Sequence, residues 1–197
     1  MKIEGARTYI LEQLSNLSGD LYYHGLHHVL DVEHATAVLA DGEGINEAES
    51  LILLQTAALY HDAGFLRTYK DHEEEGCAIV RDILPEFDYS MAQIEVICGM
   101  IMATKIPQNP QNHLEQIICD ADLDYLGRDD FEPIAHTLFA ELRVLNFVQD
   151  QHSWNRIQIS FLQSHHFWTQ TAKLARNRVK SAHLEKLVRN CRGNADQ

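Results

Sequence analysis

Length, composition and charge narrow the class of protein. The chain has 197 residues, 45% hydrophobic and 23% charged, which is typical of one globular domain. No stretch reaches the roughly 18 uninterrupted apolar residues of a membrane span, and the start lacks a signal-peptide run, so we expect a cytoplasmic protein without membrane contact. The net charge of −13 argues against binding to duplex nucleic acid, whose phosphates would be repelled.

Helical patterns cover almost the whole chain. Apolar residues recur at spacings of three and four, and no alternating β-strand pattern appears. The predicted helices are, in chain order, about 3–16, 27–41, 46–62, 71–84, 89–104, 112–126, 130–149, 151–166 and 168–191. Turns that contain glycine or proline separate most of them. We therefore predict an all-α fold, a compact helical bundle in one domain over 1–197, with helices 130–191 packed on a core of about 23–127.

Two histidines lie at the start of the second predicted helix. In the segment YHGLHHVLDV, His24 and His28 are four residues apart, so if the helix begins near Gly25 their side chains stack along one side of its first turn. Both imidazoles can then converge on one point. An ordinary polar helix start explains the segment equally well when it is taken alone.

The third predicted helix ends in LLQTAALYHDAGF, which contains His61 and Asp62. Apolar residues stand one turn before and one turn after Asp62: Ala58, Leu59, Phe65 and Leu66. The carboxylate is therefore predicted to face the core. Burying an unpaired carboxylate costs several kcal/mol, so this group needs a cation or a set of hydrogen-bond donors.

The sixth predicted helix repeats this anomaly in IICDADLDYLG. Asp122 has apolar or aromatic neighbours at three and four residues on both sides and should be buried with them. A salt bridge or a helix cap is the structural alternative for Asp122. Asp120 and Asp124 lie on a different side of the helix, where we expect them to be solvated or to support the ligands from behind.

Together, His28, His61, Asp62 and Asp122 offer two imidazoles and two carboxylates from three helices. Mixed nitrogen and oxygen ligands suit one divalent ion of Mn, Mg, Fe, Co, Ni or Zn. Such ions activate water as a nucleophile near neutral pH. The sequence therefore predicts a metal site.

The order H, then HD, then D on separate helices resembles the HD superfamily of metal-dependent phosphohydrolases, and the similarity spans about residues 23–127. The resemblance implies that the four residues named above bind the metal. It further implies an enzyme, a phosphatase or phosphodiesterase, that cleaves a phosphomonoester or phosphodiester of a small, nucleotide-like substrate. Two alternatives stay open: a non-catalytic signalling module that binds a nucleotide or a metal, and an HD-type di-iron oxygenase.

The segment YHGLHHV is also similar to the YHNxxH segment of the cyclic-nucleotide phosphodiesterases. That resemblance implies that His24 is the general acid and His28 a metal ligand. His72 is similar to the histidine that some branches use for a second metal, but the further histidine they need is Thr104 here. We therefore expect one metal ion, with His72 and Glu73 beside it as acid, base or water-orienting groups.

The remaining polar residues allow several interpretations. Glu73 also fits a solvated helix start, and His113 is an alternative second-metal ligand. Lys105 and Arg128 are candidate phosphate clamps, although an exposed surface position fits them as well. Basic residues of the last 25 positions can face a phosphate or an acidic neighbour, and a homodimer is allowed. The four cysteines form no CxxC pair and are predicted to be reduced core residues: Cys77, Cys98, Cys119 and Cys191.

Overall fold

The protein is entirely helical over the part of the chain that the structure describes. This structure, a computed structural model, describes the backbone of residues 1–193 and the side chains of residues 1–191. Its α-helices are α1 Ile3–Leu14, α2 Leu26–Gly42, α3 Ala48–Tyr60, α4 His72–Ile83, α5 Met91–Thr104, α6 His113–Asp122, α7 Phe131–Val144, α8 Gln151–Ser164 and α9 Gln170–Gly193. Short 3-10 turns follow α3, α4 and α6. The predicted all-α fold class is confirmed.

Two helices end earlier than predicted. The sixth helix stops at Asp122 because Leu123 leaves the helical conformation, and a 3-10 turn over Asp124–Gly127 follows. The seventh stops at Val144, and the chain soon turns through Asn146, whose φ of 62° is left-handed and incompatible with a continuing helix. The predictions 112–126 and 130–149 were therefore too long.

The core is built where α2, α3, α5 and α6 pack on one another, with α4 against α5. Their inward side chains are aliphatic and almost fully buried, for example Leu59, Ile97, Ile101 and Ile117. Such burial is the main stabilising contribution in a helical bundle. The start of α2 and the ends of α3 and α6 meet at one side of this core.

The C-terminal helices α7, α8 and α9 pack outside this group. Helix α9 lies against α8 and against the turn Asp124–Gly127. A Cβ atom on Gly127 would lie 2.4 Å from the Cβ of Arg176, so glycine is required for this close approach. In the described part of the chain, no helix has both the length and the hydropathy needed to cross a membrane.

The cysteines follow the prediction with one difference. Cys77, Cys98 and Cys119 are buried and carry free thiols. Cys191 is also free, but it lies only partly buried near the end of α9 and is not a core residue.

Candidate metal centre and its cavity

The four predicted ligands meet at one point. His28 lies in the first turn of α2, and its Nε2 is 3.3 Å from Nε2 of His61 and 3.2 Å from Oδ1 of Asp122. Ligand atoms of these three residues all lie within 4.8 Å of one another. Asp62 completes the group, because its Oδ2 is 3.3 Å from Nε2 of His61 and 3.6 Å from Nε2 of His28.

The environment of this group favours a cation. Burial lowers the pKa of His61, but the carboxylates of Asp62 and Asp122 raise it more, so the net pKa lies well above the ordinary value. Burial raises the pKa of Asp122, yet hydrogen bonds with His28 and His61 lower it to about 2. The two carboxylates that hold a proton on His61 would attract a metal ion at the same place.

Two observations test whether the residues fit a divalent metal. Oδ2 of Asp62 is buried and accepts no hydrogen bond from the described residues, although Nε2 of His61 lies 3.3 Å away, so this oxygen is free to bind a cation. Nδ1 of His61 lies 2.8 Å from the carbonyl oxygen of Ala58, to which it donates. Nε2 of His61 is therefore the ring nitrogen that would bind the ion. The group fits one divalent cation with two nitrogen and two oxygen ligands.

Helix α4 brings two more polar side chains to the group. A Cβ atom on Gly64 would lie 1.8 Å from the carbonyl oxygen of His72, so α4 can begin this close to the His61–Asp62 turn only because residue 64 is glycine. Nε2 of His72 then lies 3.5 Å from Oδ1 of Asp62 and 3.5 Å from Oε1 of Glu73. Glu73 is 93% buried, so its interpretation as a solvated helix start was wrong.

His24 lies just before α2 and is held by a residue that the sequence analysis did not identify. Its Nδ1 is 2.5 Å from Oε1 of Glu141, a fully buried residue of α7. Oε2 of Glu141 accepts the backbone N–H groups of Tyr23 and His24, and the hydroxyl of Tyr69 donates to Oε1. Burial raises the pKa of Glu141, but these hydrogen bonds, first of all that of His24, leave the pKa below its ordinary value.

The signal for Glu141 is present in the sequence. Leu138 and Leu145 lie three residues before and four residues after it on the same helical face. A carboxylate among apolar neighbours is the criterion that identified Asp62 and Asp122. Glu141 meets it in part, because Leu138, Val144 and Leu145 are apolar but Thr137, four residues before it, is polar.

A cavity of about 280 Å³ opens from this group. His24, Asp62, His72, Glu73 and Asp122 line one end of it. The opposite walls, from α7, α8 and the turn after α6, are mainly apolar and include Leu126, Ala135, Leu138, Leu142, Ile157 and Phe161. The candidate metal centre therefore faces a space that can hold a small organic molecule.

The two candidate phosphate clamps do not line this cavity. The ammonium of Lys105 pairs with Asp71 at 3.0 Å and with Glu74 at 2.5 Å on the outer surface. Arg128 pairs with Asp31 and Asp130, both at 2.9 Å. Both cations are already neutralised by carboxylates, so we no longer assign them to substrate binding.

The residues considered for a second metal also lie in defined places. Thr104 lines the cavity, but its hydroxyl donates to the carbonyl oxygen of Ile101 at 2.8 Å. His113 is at the start of α6, where its Nε2 pairs with Glu43 at 2.8 Å, and it does not line the cavity. The described residues therefore bring no histidine to the position of Thr104.

The expectation for Asp120 and Asp124 was wrong as far as solvation is concerned, because both are buried. Asp120 accepts hydrogen bonds from the backbone N–H groups of Trp168 and Thr169. Asp124 forms a two-bond ion pair with Arg176 of α9. These two acids hold the C-terminal helix to the core, which a pattern confined to one helix does not reveal.

Comparison with known proteins agrees with this geometry. A family model described as HD domain matches residues 25–124, which is more than half of the chain and includes His28, His61, Asp62 and Asp122. Comparisons with curated proteins and with solved structures found no match. The family match and the meeting of the H, HD and D residues in one buried group lead to one conclusion: the chain belongs to the HD-domain family.

Proposed function

We propose that this protein is a metal-dependent phosphohydrolase that cleaves a phosphomonoester or phosphodiester bond of a small molecule. The observation that carries the proposal is the cavity at one end of which lie Asp62 and Asp122 of the candidate ligand group, together with His24, whose ring is held by Glu141. A metal group alone fits a binding module as well. A histidine held by a buried carboxylate beside that group supplies the proton-transfer function that hydrolysis needs.

The residues of the chain have separate roles in this proposal. His28, His61, Asp62 and Asp122 would hold the ion, which when bound polarises a phosphoryl oxygen and makes water more acidic. Nδ1 of His24 donates to Glu141, so Nε2 is left to protonate the departing alkoxide oxygen.

Beside Asp62, His72 and Glu73 can accept a proton from the attacking water and orient it. Both residues line the cavity and lie close enough to share one water molecule. The ring of Phe65 packs against those of His24 and His72, with centroid distances of 4.3 and 4.1 Å, and the two imidazoles are 6.2 Å from each other. This packing helps to fix the proposed acid and the proposed base.

Metal analysis and a substrate panel test the proposal. Purified protein is expected to contain a divalent metal and to release phosphate, or an alcohol, from some member of a panel of phosphomonoesters and phosphodiesters with Mn²⁺, Mg²⁺, Co²⁺ or Ni²⁺. Asp62→Ala and Asp122→Ala should each lose both bound metal and activity, since each removes an anionic ligand. Asp130→Ala, which removes an exposed carboxylate outside the cavity, is the matched control.

Full metal occupancy in both ligand variants would contradict the metal site. Metal binding without turnover of any phosphate ester would instead favour a binding module.

A further inference from the structure

The cavity has two chemically different ends. Polar groups lie at the metal end, as described above. The far walls come from α7 and α8, where Leu138, Leu142, Ile157 and Phe161 face the space. Ala135 and Gln158 lie between these side chains, and both are more than nine-tenths buried.

Charge is distributed as unevenly as polarity. None of the described residues that line the cavity is a lysine or an arginine. The nearby cations Lys105 and Arg128 are paired with carboxylates outside it. Glu73 at the cavity surface and Glu141 beside it are acidic. A second or third phosphate group would therefore find no lysine or arginine partner there.

The hydrogen-bonding capacity of the far end is small. Among the described side chains of the α7 and α8 walls, those that can form hydrogen bonds are the Gln158 amide and the Trp154 indole. Together they can satisfy two or three polar atoms of a ligand. The hydroxyl groups of a sugar would lose their water without gaining enough partners, at a cost in affinity for each.

We propose that the substrate is a monophosphate ester of a mainly hydrocarbon alcohol, whose phosphate lies at the metal end and whose hydrocarbon group fills the space between α7 and α8. This inference rests on the proposed phosphohydrolase function and narrows its substrate. The ester is cleaved by water: a water oxygen forms the new bond to phosphorus, the bond from phosphorus to the alcohol oxygen breaks, and His24 gives a proton to that oxygen. The products are inorganic phosphate and the free alcohol.

The length of the alkyl group of the substrate is the variable that tests this substrate class. With Mn²⁺-loaded protein, kcat/KM should rise along methyl, butyl, hexyl and octyl phosphate, by up to about fourfold for each methylene that becomes fully buried. The increase in kcat/KM should stop when the alkyl group is longer than the cavity. Adenosine monophosphate and ribose 5-phosphate should be poorer substrates than octyl phosphate. Nucleotides hydrolysed faster than octyl phosphate, or a rate independent of chain length, would overturn the inference.

Binding of the corresponding alkylphosphonates separates this inference from the proposed function, because phosphonates cannot be hydrolysed. Affinity measured by calorimetry should rise with chain length in the same way. If the phosphonates show this increase while no phosphate ester is cleaved, the apolar ligand class stands and the hydrolase function fails. If esters are cleaved but phosphonate affinity is independent of chain length, the hydrolase function stands and the ligand class fails.

Two variants locate the effect in the far end of the cavity. Ile157→Ser removes an apolar side chain that is 46% exposed at the rim, so folding should be preserved. The ratio of kcat/KM for octyl to methyl phosphate should fall at least about threefold. Val144→Ser is the matched control, because Val144 is β-branched, equally exposed at 46%, and does not line the cavity. An equal change of the ratio in both variants would contradict the assignment.

Ala135→Leu fills the middle of the space instead of opening it. In this variant the ratio of kcat/KM for octyl phosphate to that for methyl phosphate should fall about tenfold or more. Thermal unfolding of the variant shows whether the added side chain has been accommodated. An unchanged ratio in a folded Ala135→Leu protein would overturn the proposed position of the hydrocarbon group.

Discussion

Three acidic residues of this chain, Asp62, Asp122 and Glu141, lie where a bare negative charge would be costly. Each is compensated differently. Glu141 accepts four hydrogen bonds, and Asp122 lies against two imidazoles. Oδ2 of Asp62 accepts no hydrogen bond among the described residues and lies 3.3 Å from Nε2 of His61. Of the three, Glu141 therefore depends least on a bound cation.

The role of His24 can be distinguished from metal binding by its response to the leaving group. His24→Ala should retain nearly all of its metal, since His24 is not among the four ligands. Turnover should fall by roughly two to four orders of magnitude, the usual contribution of general acid catalysis. Nitrophenolate departs with little protonic help, so nitrophenyl phosphate should lose less activity than an alkyl phosphate. Loss of metal, or an equal loss for both substrates, would contradict the assignment.

Glu141 is a positioning residue in this scheme, and Glu141→Gln tests it. Glutamine keeps the size and an acceptor oxygen but removes the negative charge that lies against Nδ1 of His24. We expect unchanged metal content, a smaller loss of turnover than in His24→Ala, and the same dependence on the leaving group. Glu43→Gln is the control, because Glu43 also pairs with a histidine, His113, away from the cavity. A loss independent of the leaving group would indicate only a structural role for Glu141.

The number of metal ions that each chain binds depends on whether further side chains can complete a second site. The hydroxyl of Thr104 is used within its own helix, and His113 is paired with Glu43, so neither can complete a second site with His72. One tightly bound ion per chain is expected, and His72→Ala should retain it. Elemental analysis and anomalous scattering measure this number. Two fully occupied ions bridged by Asp62 would reject it and favour the oxygenase alternative.

At the scale of elements, the helices could be predicted because their signals are local. Apolar spacing and glycine or proline turns set most helix bounds within two residues. The walls of the cavity could not be predicted in this way. Leu138 and Phe161 have the same helical spacing whether they face a core or an open space. Likewise, the roles of Lys105 and Arg128 depend on carboxylates far away in the sequence.

The attachment of α9 to the core through Asp120 can be tested by its effect on stability. Asp120 accepts the N–H groups of Trp168 and Thr169 and the hydroxyl of Thr169, at 2.7 to 2.8 Å. Asp120→Asn replaces one acceptor oxygen by a donor, so we expect a loss of about 2–4 kcal/mol in the free energy of unfolding. Thr169→Val removes only the hydroxyl and should cost about 1 kcal/mol. Urea unfolding checks both values, and a change below about 0.5 kcal/mol in Asp120→Asn would contradict this attachment.

At the scale of the whole molecule, the net charge of −13 and the lack of lysine and arginine at the cavity act together. An acidic protein attracts divalent cations and repels multiply charged anions. The described basic residues of the C-terminal helix do not line the cavity, and Arg176 and Lys186 pair with Asp124 and Glu132. Arg176 and Lys186 therefore face acidic neighbours, which is one of the two arrangements that we expected for the basic residues of the last 25 positions. The side chain of Arg192, another of these residues, lies outside the described part of the chain.

Global stability should depend on pH through His165, which lies between α8 and α9. Burial, and next the ammonium of Lys180, lower the pKa of His165 to about 3, whereas an unfolded chain has a value near 6.5. Above about pH 6.5 the imidazole is neutral in both states and has no effect. As the pH falls below 6.5, the unfolded chain binds a proton that the folded protein does not, so the free energy of unfolding decreases.

The decrease is at most about 1.4 kcal/mol per pH unit, and smaller here because the ring is partly exposed. His165→Gln should therefore lose less stability than the wild-type protein between pH 7 and pH 5. Urea unfolding of metal-free protein at both pH values measures the loss of unfolding free energy in each protein. The contributions of titratable groups that the two proteins share cancel in the comparison. His136→Gln, on the exposed side of α7, is the control. An equal loss of stability in wild type and His165→Gln would show that the proton is not excluded from His165 in the folded protein.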